Sequence, residues 1–357
     1  LGDPTHVESA LSGAHGEEMR GAVAAAFSGF QISPEWLIDR VRGADDPMLS
    51  RSCLMALKLI PFDRVSTQQR SLAADALGSR LTKTADPGIR SAAFALAEAW
   101  QLAVALPQPP DSNREFLTTT GQRMVVVRPE KVAWMGSLGN EPGRDGAKEP
   151  RTAFKMPNDF AIATHEVTAR QYIEFRSNFD YATTYAPSED CPAIGLTWYD
   201  AAKYCLWRSE IEVVPESQMC YPKINEIKPG MVLPQAITER TGYRLPTETE
   251  WEYACSGGVD RTRWFGLDPL LLDEHAWTGS NSDFVTRPVR QLLPNDYGLF
   301  DMLGNAMEWC QSPRFDYPIG QQEPATDAGT GRIVFEDLTR MSVKGGAMLY
   351  QPADARA

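Results

Sequence analysis

Gly242-Tyr243-Arg244-Leu245-Pro246-Thr247-Glu248-Thr249-Glu250-Trp251-Glu252-Tyr253-Ala254 and, further along, Asn295-Asp296-Tyr297-Gly298-Leu299-Phe300-Asp301-Met302-Leu303-Gly304-Asn305-Ala306-Met307-Glu308-Trp309 are the stretches on which the fold of this chain turns. In the first, Pro246 can end a strand, Thr247 can cap a helix, and Glu250 stands three residues on, where it completes a capping box. The spacing predicts a helix from Glu248 onward, with Trp251 and Ala254 turned to a core. Arg244 is expected to pair with a carboxylate beneath the loops, because a guanidinium fork can organise several coil carbonyls at once.

Around these stretches the chain has 357 residues, a net charge of −12 and nine tryptophans. That length predicts two domains with proper cores. Many glycines and prolines beside the tryptophans predict a domain of irregular loops anchored by aromatic side chains. The acidic balance argues against nucleic acid and anionic membrane surfaces as partners. No apolar run reaches the length of a membrane span, and the N-terminus has neither an initiator methionine nor a signal-peptide pattern. A processed or excised piece of something longer is therefore expected, with the bacterial cytoplasm favoured over secretion. Six cysteines, Cys53, Cys191, Cys205, Cys220, Cys255 and Cys310, show no C-x-x-C spacing and are expected to be reduced, buried thiols.

Residues 1–106 are rich in Ala, Leu and Arg, with apolar residues at helical spacing, as in Leu54-Met55-Ala56-Leu57 and Ala92-Ala93-Phe94-Ala95-Leu96. Asp46-Pro47 and Asp86-Pro87 recur at an offset of 40, with Leu49/Ile89, Leu54/Phe94 and Ala56/Leu96 in register. This spacing suits HEAT-like helix pairs in which Asp caps and Pro opens a helix. So short an array buries little on its own, so its apolar residues, Leu49, Leu54, Phe94 and Leu96, are expected to dock on the second domain through an apolar face. Residues 107–121 begin with a proline-rich linker, and 122–357 form the second domain. There, Met124-Val125-Val126-Val127 and Phe160-Ala161-Ile162-Ala163 read as strands, and Ala169 to Ser177 and Tyr199 to Glu210 as helices.

The ordered motifs of this second domain resemble the formylglycine-generating enzyme (sulfatase-modifying factor) superfamily. They are Trp134-Met135-Gly136, Glu166-Val167-Thr168 with Gln171-Tyr172, Thr197-Trp198-Tyr199-Asp200-Ala201-Ala202, the Arg244 to Glu252 run, and Gly304-Asn305-Ala306 with Glu308-Trp309. The resemblance implies a loop-rich, C-type-lectin-like second domain, so that with the all-α, HEAT-like segment before it the chain is expected to be α+β. It further implies a calcium ion wrapped by the side chain of Asp301, the carbonyls of Gly304 and Ala306, and the carboxylate of Glu308, a hard-oxygen set that suits calcium. The family's second calcium site matches His275 to Arg287 poorly and is not carried over.

In the oxidases of this family, the equivalent of Gly345-Gly346 is followed by a serine and then by two cysteines that bind copper(I) and the substrate thiol. Here those positions are Ala347, Tyr350 and Ala355. A soft cuprous ion needs thiolates, so no copper is expected and no catalytic residue is assigned. Iron, as in the ergothioneine-synthase-like branch, would need paired histidines. His6, His15, His165 and His275 lack that spacing, and His6 and His15 are expected to be solvent-exposed. The leading expectation is a non-catalytic recognition module whose ligand surface includes Tyr350, Met348 and Trp309. Its partner would be another protein or a domain of the same assembly, within a larger bacterial multidomain protein. The rivals are a metal-dependent oxidoreductase with ligands outside this chain, and a variable-protein type of lectin fold diversified near Tyr350. Relatives continue several dozen residues beyond the equivalent of Arg356 to a closing Gly-Phe-Arg strand, so a truncated domain with an open sheet edge is expected.

Overall fold

Asp46 and Asp86 each start a helix, as their Asp-Pro dipeptides require. The Asp46 side chain accepts from the Met48 N–H (2.9 Å) and Asp86 from the Ile89 N–H (2.8 Å), with proline in the first turn of each helix. The structure, a computed structural model, describes residues 4–12, 33–105, 107, 113–139, 141, 144, 149–259, 263–266, 269–314, 323–330, 333–335 and 340–356. Most of the proline-rich run after Ala105, residues 106 and 108–112, lies outside that set, as does His15.

The N-terminal part is helical: α1 (Pro4–Leu11), α2 (Pro34–Gly43), α3 (Pro47–Lys58), α4 (Thr67–Leu81) and α5 (Pro87–Ala99). Leu37, Leu54, Leu57, Leu77 and Leu96 meet in one buried cluster, and Trp100 closes it while its indole N–H donates to the Ile60 carbonyl (3.1 Å).

Then come β1 (Glu115–Leu117), β2 (Arg123–Val127), β3 (Val132–Met135), β4 (Thr152–Lys155) and β5 (Phe160–Ala163), followed by helices α6 (Ala169–Phe175), α7 (Trp198–Ile211) and α8 (Glu248–Ser256). Each of these three helices begins with a reciprocal capping box, Thr168 with Gln171, Thr197 with Asp200 and Thr247 with Glu250, so three separate helix starts are written into the local sequence. The short strands β6 (Ala276–Trp277), β7 (Leu303–Gly304), β8 (Glu308–Pro313) and β9 (Met341–Lys344) complete the described elements. β1, β2 and β5 form an antiparallel sheet, with Val125 opposite Ile162, while β8 pairs antiparallel with β9, Trp309 opposite Val343. The architecture is mixed α+β with sparse, short strands.

Trp251 and Ala254 are fully buried, in a cluster with Phe154, Leu299 and Cys310, and a second cluster gathers Trp198, Tyr221, Leu233 and Phe335. Arg244 pairs in bidentate fashion with Glu250 (2.6 and 2.7 Å), tying the approach to α8 to its first turn. Pro246 ends no strand among the described residues; its carbonyl instead accepts from the Gln311 N–H of β8 (2.6 Å). All six cysteines are free, five buried and Cys205 half-buried.

The contact between the helices and the second domain differs from the apolar face expected of it. Leu49, Leu54 and Leu96 are buried within the helical cluster itself, and among the described residues Leu293 is the buried side chain that the second domain adds. The junction is ionic and polar instead. Arg51 pairs with Asp86 (2.9 Å) and Asp296 (3.4 Å), Glu115 bridges Arg90 and Arg123, and Ser91 donates to the Gly298 carbonyl (2.7 Å). The reason is that α3 packs on both α2 and α5, which uses up their apolar faces and leaves polar faces for docking. Gly298 sits at φ +83, and a Cβ there would come within 2.6 Å of the Pro87 carbonyl oxygen, so the close approach requires glycine.

Candidate functional site

Two chain segments far apart in sequence are stitched together by backbone hydrogen bonds. Gly304 N–H donates to the Gly345 carbonyl (2.8 Å), and Met348 N–H donates to the Asn305 carbonyl (2.9 Å). Gly304 takes φ +79 with the Trp277 carbonyl so near that an added Cβ would lie 2.2 Å from its oxygen. Only glycine fits there. Asn305, also at positive φ, is fully buried; its side chain donates to Glu166 and accepts from the Arg287 N–H.

Under this loop lies a knot of carboxylates. Glu166 accepts from the Ala306 N–H and from the Asn305 side chain, both at 2.9 Å. Burial, reinforced by the charges of Asp301 and Glu308, pushes its carboxyl well above the usual range. Asp301 is 3% exposed; one oxygen accepts from the Arg290 backbone N–H (2.7 Å), and the other is buried with no hydrogen-bond partner among the described residues. Burial raises Asp301 to about 6 against the pull of that N–H, and raises the half-buried Glu308 to about 7, with Asp301 adding to the effect and the Trp251 indole opposing it. Next to them, burial lowers His165 to about 4; its Nδ1 lies 2.8 Å from the Glu166 carbonyl oxygen.

Of the expected calcium ligands, Asp301 precedes β7, Gly304 ends it, Ala306 lies in the link to β8, and Glu308 opens β8. Among the described residues no three His, Cys, Asp or Glu side chains converge closely enough to hold a metal by themselves. A cation would take the two carboxylates with backbone carbonyls, a donor set that calcium accepts. The orphaned, buried Asp301 oxygen and the mutual repulsion of the acids both fit such an ion. Glu166 enters the sequence reading only as part of a fold signature; the chain order gives no signal that it reaches beneath Ala306, from 140 residues away.

The copper donors do not fit. Ala347 and Ala355 are buried alanines, and Tyr350 is 40% exposed, its hydroxyl donating to the Met307 sulfur (3.5 Å). Of the residues expected at the ligand surface, Tyr350 is exposed, Trp309 is half-buried with its indole N–H on the Leu196 carbonyl (3.0 Å), and Met348 is buried. Met348 is 7% exposed, with its backbone tied to Asn305 and to the Ser282 hydroxyl, and it lines the wall of a cleft beside this loop. His6 is exposed on α1, whereas His275 is buried, stacked on Phe265 at 4.3 Å.

A cleft of about 1850 Å³ opens beside this loop and takes in Glu166, Ala306 to Trp309, Lys344 and Ala347 to Leu349 on one side, and Tyr204, Arg208 and Tyr243 on the other. Lys344 is locked between Glu248 (3.1 Å) and Glu252 (2.8 Å), so its charge is spent inside the wall. Met307 and Leu349 line the cleft and are exposed, and Tyr350, whose hydroxyl meets the Met307 sulfur, is exposed beside them.

The family described as the sulfatase-modifying factor enzyme 1-like domain matches residues 111–357. Chaperone protein LppX of Paenibacillus barcinonensis is 32% identical over 176 residues, 43% of this chain and 62% of that protein. The formylglycine-generating enzyme of Mycobacterium tuberculosis is 27% identical over 236 residues, 54% of this chain and 77% of the enzyme. The chain thus spans less than two thirds of the length of LppX. Among solved structures, Treponema denticola variable protein 1 superposes with a TM-score of 0.53 at 20% identity, over 68% of this chain and 90% of that one, a likeness of fold. Motif order, fold and family match agree, and the chain belongs to the sulfatase-modifying factor enzyme 1-like family, the family of the formylglycine-generating enzymes.

Proposed function

We propose that this protein is a non-catalytic recognition module: a HEAT-like helical segment joined to a formylglycine-generating-enzyme-like domain that binds a polypeptide in the cleft beside the 304–309 and 345–350 loops. The observation that carries this reading is a large cleft lined by Ala347, in a segment whose expected serine and two cysteines are all replaced. Ala347, Tyr350 and Ala355 replace the groups that the oxidases use, while Met307 and Leu349 present apolar surface in the cleft, with the exposed Tyr350 against Met307. Exposed apolar clusters rimmed by polar groups are where partners bind. The similarity to a protein named as a chaperone favours a polypeptide over a small molecule. Calcium at Asp301 and Glu308 would be structural, stiffening the loop that forms one wall.

Selection from a displayed random-peptide library tests this. Peptides enriched on the parent and lost on a Tyr350→Asp, Leu349→Asp double variant support the reading. Equal enrichment on both proteins removes the cleft from the account, and loss of the thiol from a cysteine-containing sulfatase peptide in the presence of copper overturns the non-catalytic reading outright.

A further inference from the structure

The helical segment does more than cover the second domain: it holds the residue that orients Asp301. The Arg290 backbone, at φ +67, donates to the Asp301 carboxylate (2.7 Å), and its guanidinium lies over the Phe94 ring at 4.3 Å and 3.8 Å from the Glu98 carboxylate, both on α5. The chain between Arg290 and Asp301 is gripped from the same side. Leu293 enters the helical core, Asp296 pairs with Arg51, and Gly298 receives the Ser91 hydroxyl. Lys58, at the end of α3, is near enough for its charge to act on Asp301 as well.

We propose that docking of the helical segment sets the cation affinity of the 301–308 loop, with Arg290 as the positioning residue that transmits it. This rests on the calcium reading of Asp301 and Glu308. When α5 is docked, Phe94 and Glu98 fix Arg290, and its N–H fixes one oxygen of Asp301, leaving the second buried and without a hydrogen-bond partner among the described residues. When α5 lets go, the 290–298 segment loses the contacts that hold it and Asp301 loses its one-sided anchor. The cation then has to order the segment itself, at a cost in affinity. Coupling of this kind is reciprocal, so a bound cation must tighten the docked helices by the same factor.

Calcium titration by calorimetry on the full chain decides the matter. Phe94→Ala should weaken calcium binding by about fivefold or more, with the helical circular dichroism retained, whereas Phe94→Tyr, which keeps the ring under Arg290, should bind as the parent does. Val41→Ala, which loosens the same helical core away from the junction, should leave the affinity unchanged. Hydrogen exchange should slow across α5 when calcium is added. Should Phe94→Ala prove unfolded, Glu98→Gln carries the same test. Parent affinity in both junction variants, or an equal loss in Val41→Ala, overturns the coupling. A parent that binds no calcium overturns the calcium reading, and the coupling with it.

Discussion

If calcium binds at Asp301 and Glu308 as proposed, the raised carboxyls there make its effect on stability pH-dependent. Asp301 stands at about 6 in place of 3.8, and Glu308 at about 7 in place of 4.5. A shift of one unit is about 1.4 kcal/mol, so each group holds on the order of 3 kcal/mol between its protonation states. Because both values are raised in the fold, calcium-free protein keeps that stability below the ordinary carboxylate range and loses it as pH rises through 6 to 7. On the proposed reading, calcium would take the place of those protons. The largest effect of the ion is therefore expected at about pH 8, an upper limit of roughly 6 kcal/mol or about 10 °C in melting temperature, and little at about pH 5, where protons occupy the site. His165 supplies an acid limb of opposite sign: its lowered value makes stability fall as pH drops from 6.5 toward about 4, with or without calcium. Differential scanning fluorimetry on calcium-stripped protein, with and without added calcium across that range, reads both limbs. An equal calcium shift at both pH values, or none at the higher one, refutes the reasoning.

Glu308→Gln removes one repelling charge and, on the calcium reading, one proposed ligand: melting in calcium at about pH 8 should fall, and addition of a chelator should then change little. Arg244→Ala strands the buried Glu250 carboxylate and should cost about 3–5 kcal/mol by urea unfolding, with Arg244→Lys a poor rescue because an ammonium cannot make the bidentate pair. Thr247→Ala breaks one half of the α8 capping box and should cost about 1 kcal/mol in the same assay. Gly304→Ala meets both a positive φ and the Trp277 carbonyl, and should destabilise by roughly 3 kcal/mol or more, read as loss of soluble, cooperatively melting protein.

What the sequence determined by itself is local. The Asp-Pro helix starts, the Thr247/Glu250 capping box and the inward faces of Trp251 and Ala254 were legible because cap chemistry and helical periodicity act within one turn. The strands at Arg123–Val127 and Phe160–Ala163 were legible as short β-branched and apolar runs, and the order of motifs carried the family. Asp301 and Glu308 were picked out through the family resemblance alone, since nothing in their spacing marks them as ligands.

Tertiary structure decided the rest. Glu166 joins those two acids only because the Asn305 side chain and the Ala306 N–H converge on it across the fold, and no spacing in the chain encodes a contact between residues so distant. Met348 is nearly buried yet lines the cleft, between Ala347 and the exposed Leu349, a placement that the tertiary packing of the turn after Gly346 decides. The junction came out ionic where an apolar face was expected, because apolar periodicity says that a helix has a face to bury but not which neighbour receives it. Packing of α3 on α2 and α5 consumed those faces, and Arg51, Arg90, Ser91 and Arg290 were left to join the two halves.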